Sequence, residues 1–163
     1  MSSMNASLPW RMVAMAALVA GAAFASTTVA SAGECPADKV VADGKGQPMG
    51  PTEPKGVTDT VLAAIDLSKE KVALDDHKFR MRQLVIQPGG IVPWHSHADR
   101  PALIYVVAGE ITEYASTCAI PLVHKAGDVS VDAGRSHWWK NTGKKPVVLI
   151  SSDILHDPND VNM

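Results

Sequence analysis

The sequence predicts an all-β fold, a sandwich or a barrel, on three observations. From residue 57 onward, short apolar or alternating runs recur, each bounded by Gly, Pro, Asp or Asn, the texture of strands joined by tight turns. That region carries no convincing amphipathic 3.6-residue period. The length of 163 residues, with 46% hydrophobic and 20% charged side chains, suits one packed core and excludes both two full domains and wholesale disorder. The formal net charge is −2, with no Lys/Arg block, so nucleic acid is not an expected partner.

The chain opens on an expected address. Residues 1–32 hold one charge, Arg11, ahead of an uninterrupted apolar run over 12–25, shorter than the roughly 20 residues a membrane helix needs. A basic start, an apolar run and then Ala30-Ser31-Ala32 lay out a secretory signal peptide with a cleavage motif. Ala23-Phe24-Ala25 is a second such motif, and a short core helix or uncleaved anchor is the alternative. Cleavage after Ala32 makes Gly33 the mature N-terminus. It implies an exported protein, periplasmic or secreted, with no membrane attachment afterwards. Cys35 and Cys118, the two cysteines, are then the only intramolecular pair and are expected to form a disulfide.

Residues 33–56 contain four prolines and five glycines and show no period, which predicts an extended, poorly packed lead-in. Strands are expected over 61–67, 78–87, 102–108, 111–115, 121–124, 128–131, 137–141 and 146–153. The turns between them are marked by Pro88-Gly89-Gly90, Gly109-Glu110, Ala126-Gly127-Asp128, Ala133-Gly134 and Asn141-Thr142-Gly143-Lys144. Residues 57–163 therefore read as one β domain.

Chemistry concentrates at the histidines. His95 and His97 stand at i, i+2 in Pro93-Trp94-His95-Ser96-His97, so on a strand both imidazoles share a face and converge as ligands for a first-row metal. His124 reads as a surface residue at a strand end, with a place in the lumen as the alternative. His77 and His156 lie in polar stretches and read as exposed.

Gly89, five residues, His95-Ser96-His97 and then Gly109 resemble the first motif of the cupin superfamily, G-x5-H-x-H-x(3,4)-E-x6-G. Gly127-Asp128 through Gly134, His137 and Asn141 resemble the second, G-x5-P-x-G-x2-H-x3-N. The resemblance implies a single double-stranded β-helix, or jelly-roll, barrel. It implies that His95, His97 and His137 hold a divalent transition metal, Fe(II) by preference, with Zn, Ni, Cu or Mn as alternatives. Two departures stand out. The motif's glutamate falls on Ala102 or Pro101, neither of which binds a metal, and Asp132 replaces its proline. Asp99 is either a substitute oxygen ligand or a solvated surface residue.

By resemblance, three-histidine cupin sites occur in non-haem dioxygenases, so an oxidoreductase acting on a small apolar or aromatic substrate is expected. The alternative is a non-catalytic cupin that binds or senses a metal or small ligand, or a barrel that has lost its metal. A homodimer is a further expectation of the family. Around the metal, alternation puts Ala102, Ile104 and Val106 on the ligand face, opposite Leu103, Tyr105 and Val107. Trp94 and Trp139 flank the ligands as pocket wall or packing, whereas Trp138 faces outward. Arg80 and Arg82 share a strand face opposite Met81 and Leu84, either reaching into the lumen to hold an anion or lying in solvent.

Overall fold

A computed structural model describes residues 33–156; the expected signal peptide lies outside them, as does the tail 157–163. Eight strands follow in order: β1 (Lys55–Asp66), β2 (Lys78–Ser96), β3 (Ala102–Ala108), β4 (Glu110–Ala115), β5 (Leu122–Lys125), β6 (Val129–Asp132), β7 (Ser136–Lys140) and β8 (Val147–Leu155). All pairings are antiparallel, in the order β5-β4-β7-β2-β8-β3-β6, with β1 added along β2. The sheet curls into a nearly closed barrel of jelly-roll type. Among the described residues the only helical pieces are two single 3-10 turns, Ala37–Lys39 and Leu67–Lys69.

Two strands run five or more residues longer than the sequence predicts. β1 begins at Lys55, and its expected last residue, Leu67, opens a 3-10 turn instead, which the Asp66 side chain caps by accepting from Ser68 N (3.2 Å). β2 does not end at Pro88-Gly89-Gly90. Gly89 takes a φ of +72°, a conformation glycine adopts without steric cost, so the strand bends and continues. Its first half pairs with β8 and its second with β7. Asn141 braces the bend, donating from Nδ2 to Ile86 O (2.9 Å) and Lys145 O (2.8 Å). This bend sends one strand across both halves of the barrel and places His95 and His97 at its far end.

The core fills the lumen with Leu84, Ile86, Val92, Ile104, Val106, Ile111, Val147 and Leu149, closed at one side by Trp139. On β3 the alternation holds: Ala102, Ile104 and Val106 are buried, and Leu103, Tyr105 and Val107 are exposed. On β2 the predicted phase needs one correction. Leu84 lies on the inner face with Arg82, because both alternate with buried Ile86.

The lead-in is held more closely than its composition implies. Val40 bridges Cys118, Gly46 N donates to Ser116 O (2.7 Å), Gln47 N to Ala115 O (2.9 Å), and Trp94 N to Pro51 O (2.7 Å). Cys35 and Cys118 form a disulfide across 83 residues of sequence and pack with Ala115 and Leu122. In the chain-entropy description, closing a loop of that length stabilises the fold by about 4–5 kcal/mol.

Candidate metal centre

The end of β2 and the start of β7 lie side by side, with His95 directly opposite His137. His97 stands just past the end of β2, where its N–H donates to Arg135 O (2.7 Å) and its C=O accepts from Gly134 N (3.0 Å). These pairings bring three Nε2 atoms together: His95–His97 at 2.9 Å, His97–His137 at 3.1 Å and His137–His95 at 3.1 Å. All three rings are buried.

The outer nitrogens determine what the inner ones can do. His95 Nδ1 lies 2.8 Å from Pro93 O, His97 Nδ1 2.6 Å from Arg100 O, and His137 Nδ1 2.7 Å from a Glu113 carboxylate oxygen. Carbonyls and carboxylates only accept, so each ring places its proton on Nδ1 and turns an Nε2 lone pair inward. Three buried lone pairs facing one another without a donor are unfavourable, and a cation among them removes the conflict. With metal–nitrogen distances of about 2.1 Å, right-angled coordination spaces the donors about 3.0 Å apart, and tetrahedral coordination about 3.4 Å. The observed triangle is close to both spacings, so His95, His97 and His137 would be able to hold one ion between them.

Electrostatics agree with a neutral donor set. Burial, reinforced by the neighbouring His137 and His97, holds His95 well below the usual histidine range. Burial and His137 likewise lower His97, to about 4. Both rings therefore stay unprotonated, and able to bind a cation, at neutral pH.

Behind the triad sits a buried charged network that the sequence reading missed. Burial by itself would raise the Glu113 pKa, but the hydrogen bonds donated by His124 and His137 and the charge of Arg135 outweigh it, so this carboxylate stays ionised. Its second oxygen accepts from His124 Nε2 (2.8 Å). Arg135 Nη2 pairs with both Glu113 (3.0 Å) and Asp132. Asp132 also accepts from Ser130 Oγ (2.9 Å). Burial opposes the Arg135 charge, but Glu113 and Asp132 more than compensate and raise its pKa. Asp132, which departs from the family's proline, thus helps hold the arginine that balances Glu113. His124 is fully buried, which corrects the expectation of a surface residue. Alternation offered the signal: Glu113 shares an inward face with Ile111 and Ala115, and His124 shares one with Leu122.

The remaining residues sort as follows. Trp139 is buried with its ring perpendicular to that of His137 (81°) and 4.5 Å, centroid to centroid, from His124. Its Nε1 lies 3.2–3.3 Å from both nitrogens of His137, an N–H directed at the ring. Trp138 faces outward and stacks on Tyr114 (4.0 Å, 8°). Ala102 is buried at the expected glutamate position and supplies no ligand. Asp99 is exposed and stands outside the cluster His95, His97 and His137. Trp94 is half-buried and does not line the lumen.

Arg82 does line the lumen, beside His95, His97, Leu84, Val92, Ile104 and Trp139. Of the two roles predicted for the arginines, solvation does not hold, and the charge of both is met within the chain. Arg82 pairs with Asp59 and with Asp153 (3.2 Å), and Arg80 pairs with Asp153 (2.7 Å). The free volume at the lumen is ≈ 10 Å³, about one water molecule. An aromatic ring does not fit in it.

Comparison with known proteins agrees with this architecture. The Cupin_2 family, described as a cupin domain, matches residues 82–153, the span of both histidine motifs. A Thermotoga maritima protein described as a predicted oxalate decarboxylase is similar in structure, with a TM-score of 0.50 and 21% identity, covering 75% of this chain and 98% of its own. The cupin domain of Schizosaccharomyces pombe Cnp3 aligns at a TM-score of 0.48 and 18% identity, covering 65% of this chain and 69% of that one. An oxalate oxidase bound to glycolate aligns at 0.49 and 22% identity, covering 66% and 55%. No curated protein matches the sequence.

Proposed function

The chain belongs to the Cupin_2 domain family, and from that premise we propose that it is an exported metalloprotein holding a divalent transition metal on His95, His97 and His137. The observation that carries the reading is the convergence of three Nε2 lone pairs at 2.9–3.1 Å, each fixed by an acceptor on its Nδ1. The all-imidazole donor set favours Fe(II), Zn, Ni, Cu or Mn over Mg or Ca, which prefer oxygen ligands. Export is supported by the signal-like segment 1–32 and by the Cys35–Cys118 disulfide.

Within that frame the proposed activity is oxidoreductase chemistry of the non-haem dioxygenase type on a small molecule. An ion held there by His95, His97 and His137 would supply Lewis acidity and, if iron, redox chemistry. The chain's own residues do the rest. Pro93 O, Arg100 O and Glu113 fix the ring tautomers. Leu84, Val92, Ile104 and Trp139 exclude water from the lumen. Arg135 balances the buried carboxylates. The small lumen restricts the substrate to a few atoms unless the barrel mouth opens, and it favours a second reading, a binding or sensing cupin that releases no product.

The test is metal content by elemental analysis of the exported protein, alongside a His95→Ala/His97→Ala variant. About one transition metal per chain is expected in the parent and background in the variant; equal content in both overturns the proposal. Oxygen uptake with Fe(II) and a panel of small thiols, diketones and catechols then separates the two readings, since a binder consumes none.

A further inference from the structure

The sequence motif at Ala30-Ser31-Ala32 and the barrel interior meet at one residue, Gly33. Its φ is +96°, and a side chain there would put its first carbon 2.5 Å from His124 Nδ1. A Cα–C bond is about 1.5 Å long, so the Gly33 Cα itself lies within about 4 Å of that nitrogen. His124 Nδ1 is buried and has no hydrogen-bond partner, although the ring is fully enclosed. Because Nε2 donates to the Glu113 carboxylate (2.8 Å), Nδ1 carries a lone pair that needs a donor. Two residues on, the Cys35–Cys118 disulfide pins this segment to the barrel.

From this geometry we propose that the α-amino group released by cleavage before Gly33 docks on His124 Nδ1 and completes the support behind the metal site. Hydrolysis of the Ala32–Gly33 peptide bond by an export peptidase consumes one water, leaving a carboxylate on Ala32 and an ammonium with three N–H donors on Gly33. Before cleavage that nitrogen is an amide with one N–H and a bulky chain attached. After cleavage it is a small cationic donor, one bond from a Cα already packed on the ring. The contact continues inward: amine to His124, His124 to Glu113 (2.8 Å), Glu113 to His137 Nδ1 (2.7 Å). Glycine is required at residue 33 by the lack of room for a side chain against the His124 ring. The inference rests on the export and metal-binding reading and adds that processing itself tunes the site.

The experiment compares three forms of the disulfide-bonded protein: one starting at Gly33, one carrying Ser31-Ala32 ahead of Gly33, and a Gly33→Ala variant of the first. The 15N shift of His124 Nδ1 at one fixed pH reads the docking without any metal. Competition of Zn(II) and Fe(II) against a chelator reads the consequence. An N-terminus at Gly33 in the exported protein, a hydrogen-bonded Nδ1 in the Gly33 form alone, and metal affinity about 10–100-fold weaker in the other two are expected. An identical His124 shift in all three forms, as from a buried water, overturns the proposal, as does a natural N-terminus elsewhere. If the Gly33 form shows the shift but no form binds metal, the docking stands and the metal reading fails.

Discussion

The protein contains two groups of neighbouring histidines, and they behave in opposite ways. His77 and His156 lie 4.6 Å apart, centroid to centroid, at a surface cleft of ≈ 200 Å³ shared with Asp66, Ser68, Asp76 and Lys78. His95, His97 and His137 have rings 4.6–4.8 Å apart beside a lumen of ≈ 10 Å³. The roomier cleft lacks a fixed donor set. Its His77 Nδ1 contacts Asp75 O, two residues away (2.6 Å), a local contact that orients no partner. In the buried group two antiparallel strands set ring against ring, and every outer nitrogen has an acceptor. Proximity of imidazoles is common; a site requires that both nitrogens of each ring be assigned by the surrounding fold.

That contrast breaks most sharply under substitution of the rings themselves. His77→Ala/His156→Ala should leave the bound metal at the parent level by elemental analysis, whereas His95→Ala alone should bring it close to background. Next in size is Trp139→Ala, which removes the ring enclosing His137 and His124; a loss of about 3–5 kcal/mol is expected by urea unfolding, as for other fully buried aromatics.

Acid should separate the two groups more gently. The His97 pKa is lowered from 6.5 to about 4 in the fold, so below 6.5 the unfolded chain takes up a proton that the folded chain refuses. The metal-free protein should therefore lose stability as pH falls from about 6.5 to about 4. This ring alone accounts for up to about 3 kcal/mol, and His97→Gln should flatten that slope in pH-dependent denaturation. The mildest expectation concerns Glu113→Gln, which keeps an acceptor for His137 Nδ1 but removes the charge. Metal affinity should weaken by about 10–100-fold in chelator competition while the circular dichroism spectrum stays that of the parent.

How much of this was legible beforehand differs residue by residue. The pair His95 and His97 could be read because a period-two spacing is a local pattern, whereas His137 joined them only through the resemblance to the second cupin motif. The apolar face Ala102, Ile104 and Val106 followed from the same alternation. The Cys35–Cys118 bridge followed from the cysteine count once export was inferred. Glu113 and His124 alternate with apolar neighbours, a signal that was present but points equally to a strand whose polar residue is solvated. Arg82 could not be assigned, since its partners Asp59 and Asp153 come from β1 and β8 and no local pattern links them.

The sequence by itself determined the all-β class, the turn positions other than Pro88-Gly89-Gly90, the three imidazoles and the lack of a carboxylate at the family's glutamate position. These depend on side-chain identity and on spacing within single strands. Tertiary structure alone decided which nitrogens face inward, how Glu113 and Arg135 balance behind them, that Asp99 stays outside, and that the lumen is nearly full. Each of these depends on register between strands far apart in sequence, as when His95 meets His137 across the β2–β7 ladder. A one-residue slip in that pairing would send every side chain to the opposite face.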